Sequence, residues 1–215
     1  MKYLYFGLGN PGEKYEKTRH NAGRILLDIV AENNNATETT NASSKVIIKE
    51  FKLDGSEVVC ISPLVFMNDS GGIVKRYRDP EHMLIVVYDD IDLPFGELRL
   101  SYNKSGGSHN GVLSVVKQLG TQKSITLRIG VSPADPVRGM RRPVGKGNVQ
   151  TFVLKDFTHD EQLGFKDLAV KAERIMKLLH INGLEHTLST YKNKQITQAI
   201  NNKDMSSSLE TSDNI

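Results

Sequence analysis

His20 in KTRHNAG, Asp89 in VVYDDIDLP and Met67-Asn68 in SPLVFMNDSG combine a group that titrates near neutrality, a carboxylate and an uncharged amide. Together they supply a base, a carboxylate that can orient it and an uncharged amide that can hold a substrate. GLGNPG, with Asn10, stands at the N-terminus, and GGSHNG, with Asn110, in the middle. Each block follows a strand-like run and leads into polar or glycine-rich residues, where an α/β protein exposes its working groups. No serine sits in a nucleophile elbow, no cysteine pair has metal spacing, and no Walker lysine is present. The chemistry therefore rests on histidine, carboxylate and amide.

Each residue also has a plain structural reading. Asn10 can serve a turn, since its side chain bonds nearby backbone, and His20 can cap a helix start. Asp89, Asp90 and Asp92 can be a magnesium cluster or a polar exit from a strand, although no phosphate-binding loop accompanies them. Phe66 and Met67 can anchor a helix start, with Asn68 following, and Ser108 or Asn110 can cap a helix beginning near Gly111.

The elements that must position these groups are legible as periodic segments. Tyr3–Leu8 is a short apolar strand closed by glycines. In HNAGRILLDIVAE, Ile25, Leu26, Ile29 and Val30 repeat at helical spacing. VIIKEFKL and EVVCIS flank Asp54-Gly55, a tight hairpin signal. A helix is expected over 71–78, a strand over 83–88, a half-buried strand at ELRLSY, a helix at GVLSVVKQLG and a strand at ITLRIGV. The final helix opens on Thr158-His-Asp-Glu161, a capping-box pattern, with Leu168, Ala172, Ile175 and Leu179 along one face. The polar stretch 33–44 is expected to be a flexible surface connection. The expected fold is a single α/β domain over 1–192, a twisted mixed β-sheet with helices on both faces, followed by a disordered polar tail over 193–215.

A chain of 215 residues suits one domain with a full core. No run approaches the ~20 apolar residues of a membrane helix, and the N-terminus reads as a strand rather than a secretory leader. The single cysteine, Cys60, excludes an internal disulfide and suits a buried position in a reducing compartment. A cytoplasmic location is expected. The net charge of +3 is too small to establish a nucleic-acid partner, but RGMRRPVGKGN (138–148) gathers Arg138, Arg141, Arg142 and Lys146 without an acid. Such a segment can neutralise phosphates or simply be a solvated loop.

Gly7-x-Gly9-x-x-Gly12 matches the dinucleotide-binding pattern in the wrong context. The third glycine should open a helix, yet Pro11-Gly12-Glu13-Lys14 reads as a turn and the periodic helix starts near His20. No acidic residue ends a second strand about twenty residues on. A nicotinamide or flavin cofactor is rejected.

GLGNPGEKYEKTRHNAGR, SPLVFMNDSGG, YDDIDLPFGELRL, SGGSHNGVLS and LRIGV, in this order and at these intervals, closely resemble the bacterial-type peptidyl-tRNA hydrolase family. The resemblance runs from Met1 to about Tyr191. It implies hydrolysis of the ester joining a peptide to the 3′-terminal ribose of tRNA, which recycles tRNA from aborted translation without metal, cofactor or covalent intermediate. By the same resemblance, His20 is the general base, Asp89 the carboxylate that orients it, and Asn10 the residue that separates blocked from free aminoacyl-tRNA. Asn68 and Asn110 bind substrate and position water or a carbonyl oxygen. Tyr15 and Phe66 contact the tRNA end, and Arg128, Lys104 and Arg99 meet phosphates. A monomer is implied. Two departures stand out: Ser108 precedes His109 where the family usually has glycine, and the basic segment before TFVLKDF is longer than expected. Relatives of this fold also act as RNA-splicing cofactors, so an RNA-binding module is the alternative. The presence of His20, Asp89, Asn10 and Asn68 favours the enzyme.

Overall fold

The structure is a computed structural model describing residues 2–103, 106–135 and 139–209. The chain falls into two compact units, Met1–Lys177 and Leu178–Ile215.

The first unit is built on one seven-stranded sheet. In chain order its elements are β1 (Lys2–Gly7), α1 (Ala22–Asn33), β2 (Thr37–Asn41), β3 (Val46–Leu53), β4 (Ser56–Pro63), α2 (Ser70–Tyr77), β5 (His82–Pro94), β6 (Leu98–Tyr102), α3 (Asn110–Leu119) and β7 (Ile125–Ser132). A short hairpin of β8 (Ala134–Asp135) and β9 (Gly139–Met140), then α4 (Lys146–Val153) and α5 (His159–Leu209), follow. The strand order is β2-β3-β4-β1-β5-β7-β6. The four central strands run parallel, while β2, β3 and β6 are antiparallel to their neighbours. The sheet is mixed, as expected.

Alternation along the strands divides the core between two faces. Leu4, Phe6, Val86 and Tyr88 pack in one cluster with Met67, Ile73, Val74, Val112 and Val115 beneath α2 and α3. Tyr3, Tyr5, Ile85 and Val87 are buried on the other face, where α1 lies. That helix approaches so closely that a Cβ on Gly23 would stand 2.2 Å from the Val87 carbonyl oxygen. Cys60 is buried in β4, and burial pushes its thiol pKa up, in keeping with an inert core residue.

Local signals account for several joints. Asp54 and Gly55 both take positive φ, 48° and 81°, which matches the twist of the β3–β4 hairpin. Thr158 and Glu161 form the reciprocal capping box: the Thr158 amide donates to Glu161 Oε2 at 2.7 Å, and the Glu161 amide to Thr158 Oγ1 at 3.3 Å.

One expectation needs correction. The polar stretch 33–44 is not all connection, because Thr37–Asn41 pairs antiparallel with β3 as an edge strand. Its β-branched threonines suit an exposed edge that needs no apolar face.

The second unit is the remainder of α5. Its helical backbone is interrupted at Gly183, where φ is 75°, and Thr187 Oγ1 donates to the Gly183 carbonyl at 2.7 Å. The division expected after 192 is a different boundary. Helical backbone crosses it to Leu209, and residues 210–215 lie outside the described residues.

Candidate active site

The carboxyl ends of the parallel strands share one edge of the sheet, where open α/β sheets expose a crevice. Asn10 lies just beyond β1, Met67–Asp69 forms a single 3-10 turn beyond β4, and Asp89 lies within β5, one residue before its regular pairing with β7 breaks at Asp90. His20 stands in a 3-10 turn, Arg19–Asn21, that leads into α1. The chain after β1 makes a 3-10 turn at Glu13–Tyr15, so Gly12 opens no α-helix and the dinucleotide pattern has no phosphate-binding terminus.

Asp89 is the centre of the cluster. Its Oδ1 lies 2.9 Å from His20 Nδ1 and 2.9 Å from Nε2 of His109, the residue that caps α3. Burial would raise the Asp89 pKa, but the two imidazoles, by charge and by hydrogen bond, hold it well below the usual carboxylate range. An ionised carboxylate only accepts, so both facing ring nitrogens donate. His109 Nδ1 accepts from the Val112 amide at 3.3 Å, which sets its tautomer with the proton on Nε2. His20, donating through Nδ1, is left with Nε2 free. Burial lowers the His20 pKa, yet the charge and hydrogen bond of Asp89 outweigh it and the net direction is up. The arrangement yields an oriented base whose protonated form is stabilised from behind.

The three donor atoms could also be read as metal ligands. The two separations from Asp89, 2.9 Å each, are hydrogen-bond lengths, shorter than the about 3.3 Å between neighbouring ligands on a tetrahedral ion with 2.0–2.1 Å bonds.

Asn10 is buried and fully placed. Its backbone amide donates to Asn21 Oδ1 at 2.8 Å, and Asn21 Nδ2 donates to its carbonyl at 2.9 Å. Asn10 Oδ1 accepts from the Met67 amide at 2.9 Å, so the group left to offer is Nδ2, a donor. This bond ties the loop after β1 to the turn after β4. Gly111 lets α3 start against that turn, since a Cβ there would stand 2.4 Å from Met67 Sδ.

The other expected residues separate into groups. Tyr15 and Phe66 come together edge to face, ring centroids 6.3 Å apart, with Phe66 54% exposed. Lys14 Nζ stands 4.7 Å from the Tyr15 ring centre. Asn68 and Asn110 are exposed, beside Met67 and His109 respectively. The cap of α3 is His109, not Ser108 or Asn110, because it is the His109 ring that reaches back to Val112. Arg128 is not presented to solvent: it is buried in β7 and donates to Asp90 Oδ2 at 2.6 Å. Arg99, opposite it on β6, is partly exposed and lies 3.6 Å from Glu97. In the basic segment Arg142 pairs with Asp92 at 2.7 Å and Lys146 opens α4. Lys104 and Arg138 lie outside the described residues.

Sequence reasoning passed over His109 and Asn21, although both sit inside quoted motifs, HNG and RHN. Two histidines with one carboxylate was the available signal for His109.

The chain is similar to known proteins over most of its length. Residues 4–199 match the family model described as peptidyl-tRNA hydrolase. A peptidyl-tRNA hydrolase of Aquifex aeolicus is 36% identical over 197 residues, spanning 89% of this chain and 96% of that protein. One of Chloroflexus aurantiacus is 37% identical over 195 residues, spanning 88% and 98%. The crystal structure of peptidyl-tRNA hydrolase from Acinetobacter baumannii superposes with a TM-score of 0.73 at 28% identity, covering 87% of this chain and 92% of that one. With the fold matched over most of both chains and the family model spanning the sheet and the site alike, the chain belongs to the peptidyl-tRNA hydrolase family.

Proposed function

We propose that this protein hydrolyses the ester between a peptide, or an N-blocked aminoacyl group, and the 3′-terminal ribose of tRNA, with His20 as general base. Family membership supports the reaction. The observation that carries the mechanism is the 2.9 Å bond from His20 Nδ1 to Asp89, which leaves Nε2 free at the open edge of the sheet. Water gives a proton to Nε2 as its oxygen adds to the ester carbonyl. The tetrahedral intermediate collapses, the C–O bond to ribose breaks, and the ribose oxygen takes the proton back from His20. The carboxylate of Asp89 stabilises the imidazolium formed between these steps. No metal or covalent enzyme intermediate is required.

Asn10 Nδ2 donates to a carbonyl of the peptide and has nothing to offer the ammonium of an unblocked aminoacyl group. Asn68, next to the Met67 amide that Asn10 holds, and Asn110, next to His109, are exposed amides for the water or the ester carbonyl. Tyr15 and Phe66 hold the terminal base by stacking. Binding of the tRNA body is left to phosphate contacts, because one enzyme serves many tRNAs. The reading includes a monomer acting in the cytoplasm. Among the described residues, no helix is long and apolar enough to cross a membrane.

Release of N-acetylated amino acid from purified tRNA in the presence of EDTA tests the proposal, wild type beside His20→Ala. Rapid release by wild type alone is expected, with unblocked aminoacyl-tRNA turned over far more slowly. Equal release by folded His20→Ala removes the base from the mechanism. Folded wild type that binds tRNA without cleaving it is an RNA-binding module instead.

A further inference from the structure

Arg19 precedes the base directly, is only 6% exposed, and is held through both terminal nitrogens, while its Nε is buried without a partner. Its Nη2 donates to Glu161 Oε2 at 2.7 Å, and its Nη1 to the carbonyls of Lys155 and Asp156. The guanidinium also lies over two rings, 4.8 Å from the centre of Phe152 and 5.2 Å from that of Phe157. The backbone runs along the same seam: the Arg19 amide donates to Lys155 O at 3.1 Å, and the Phe157 amide to Lys17 O at 2.9 Å.

We propose that Arg19 is a positioning residue for the hydrolysis, locking the turn that carries His20 onto Lys155–Glu161 and thereby holding His20 Nδ1 on Asp89. The proposal rests on the reading of His20 as the base. The turn needs such an anchor, since it is a single 3-10 turn with no side-chain cap from Thr18. On its other side Asn21 is fastened to Asn10, so His20 is suspended between two fixed points. Arginine suits the anchor better than a plain cation. Its planar fork meets one carboxylate and two carbonyls in set directions and lies over two rings, so it fixes orientation as well as charge. Glu161 is itself immobilised, because the oxygen that meets Arg19 also accepts the Thr158 amide of the α5 cap. A hydrophobic residue of similar volume could fill the same space without a buried ion pair. What it would lose is the direction in which the next residue points.

The test is Arg19→Lys, which keeps the charge and removes the fork and the stack. Two quantities are read: kcat and KM on N-acetylated aminoacyl-tRNA, and the proton NMR signals of the two imidazole N–H groups bonded to Asp89. His109 is the internal control, because α3 carries it. The expected result is a kcat lowered about tenfold or more by misplacement of the base, with KM unchanged. The His20 Nδ1 proton signal broadens or disappears, while the His109 Nε2 signal persists. A folded variant with wild-type kcat and both signals overturns the proposal. So does equal loss of both signals, which marks general loosening. If Arg19→Lys does not fold, Glu161→Gln carries the same two readouts, since glutamine still accepts the Thr158 amide but removes the carboxylate facing Arg19. An active His20→Ala would remove the base reading alone, and the NMR signals would still decide whether Arg19 holds His20 on Asp89.

Discussion

Replacing Asp89 with asparagine keeps the size and an acceptor oxygen but removes the charge that faces His20. In the transition state His20 carries a proton, and the carboxylate stands behind it with Oδ1 2.9 Å from Nδ1. Unit charges about 4 Å apart at an effective dielectric of about 20 attract by about 4 kcal/mol. An amide dipole recovers a fraction of this, so kcat should fall about 10²- to 10³-fold. The pH dependence should move as well. Burial lowers the His20 pKa while the charge and hydrogen bond of Asp89 raise it, and the net is above the ordinary 6.5. Wild-type kcat therefore rises with pH through a limb above 6.5, and in Asp89→Asn, with burial unopposed, that limb shifts to lower pH. Stability follows the same linkage. The depressed Asp89 stabilises the fold above the unfolded carboxyl value of about 3.9 and loses that effect as pH falls through its folded value. The raised His20 stabilises the fold below about 6.5 and loses that effect as pH rises through its folded value. The Tm difference between wild type and Asp89→Asn should be most favourable to wild type between about pH 4 and 6.5. The assay is single-turnover release of N-acetylated amino acid at saturating enzyme across the neutral range, with thermal unfolding in parallel. Near-wild-type kcat, or an acid limb that does not move, refutes the role given to Asp89.

Arg128→Ala should act on stability. It leaves Asp90 partly buried without its partner at 2.6 Å, a loss of about 3–5 kcal/mol in denaturant unfolding. The salt dependence of tRNA binding should stay unchanged, and a slope reduced by about one would put Arg128 on a phosphate instead. Phe66→Ala removes a half-exposed ring beside Tyr15 and should raise KM about 5- to 150-fold at constant kcat, the equivalent of 1–3 kcal/mol of stacking. Competition by a short tRNA acceptor-end oligonucleotide would check it, since loss of stacking must weaken that binding by the same factor. Asn10→Ala orphans the buried Met67 amide and should cost about 1–3 kcal/mol of stability. It should also narrow the preference for blocked over unblocked substrate, measured as the ratio of kcat/KM values.

Much of this architecture was written locally. The Asp54-Gly55 turn, the Thr158–Glu161 cap and the periodic strands and helices each depend on the conformational preferences of a few adjacent residues, and they survive into the tertiary structure. The failure of the dinucleotide pattern was local too, a turn standing where a helix should begin. The polar edge strand β2 was hidden because an edge needs no apolar face, so composition spoke for a loop while its threonines spoke for a strand.

The residue types for base, carboxylate and amide were present in the chain, together with the motif order that marks the family. Which of them meet was decided only by folding. Parallel pairing of β1 with β5 sets the His20 turn beside Asp89 across 69 residues, and the start of α3 delivers His109 to the same oxygen. The same register buries Arg128 in an internal ion pair with Asp90. A cation in a sequence has no sign of its surroundings. Burial and partner are properties of the sheet, and they decide whether a charge faces solvent, substrate or another side chain.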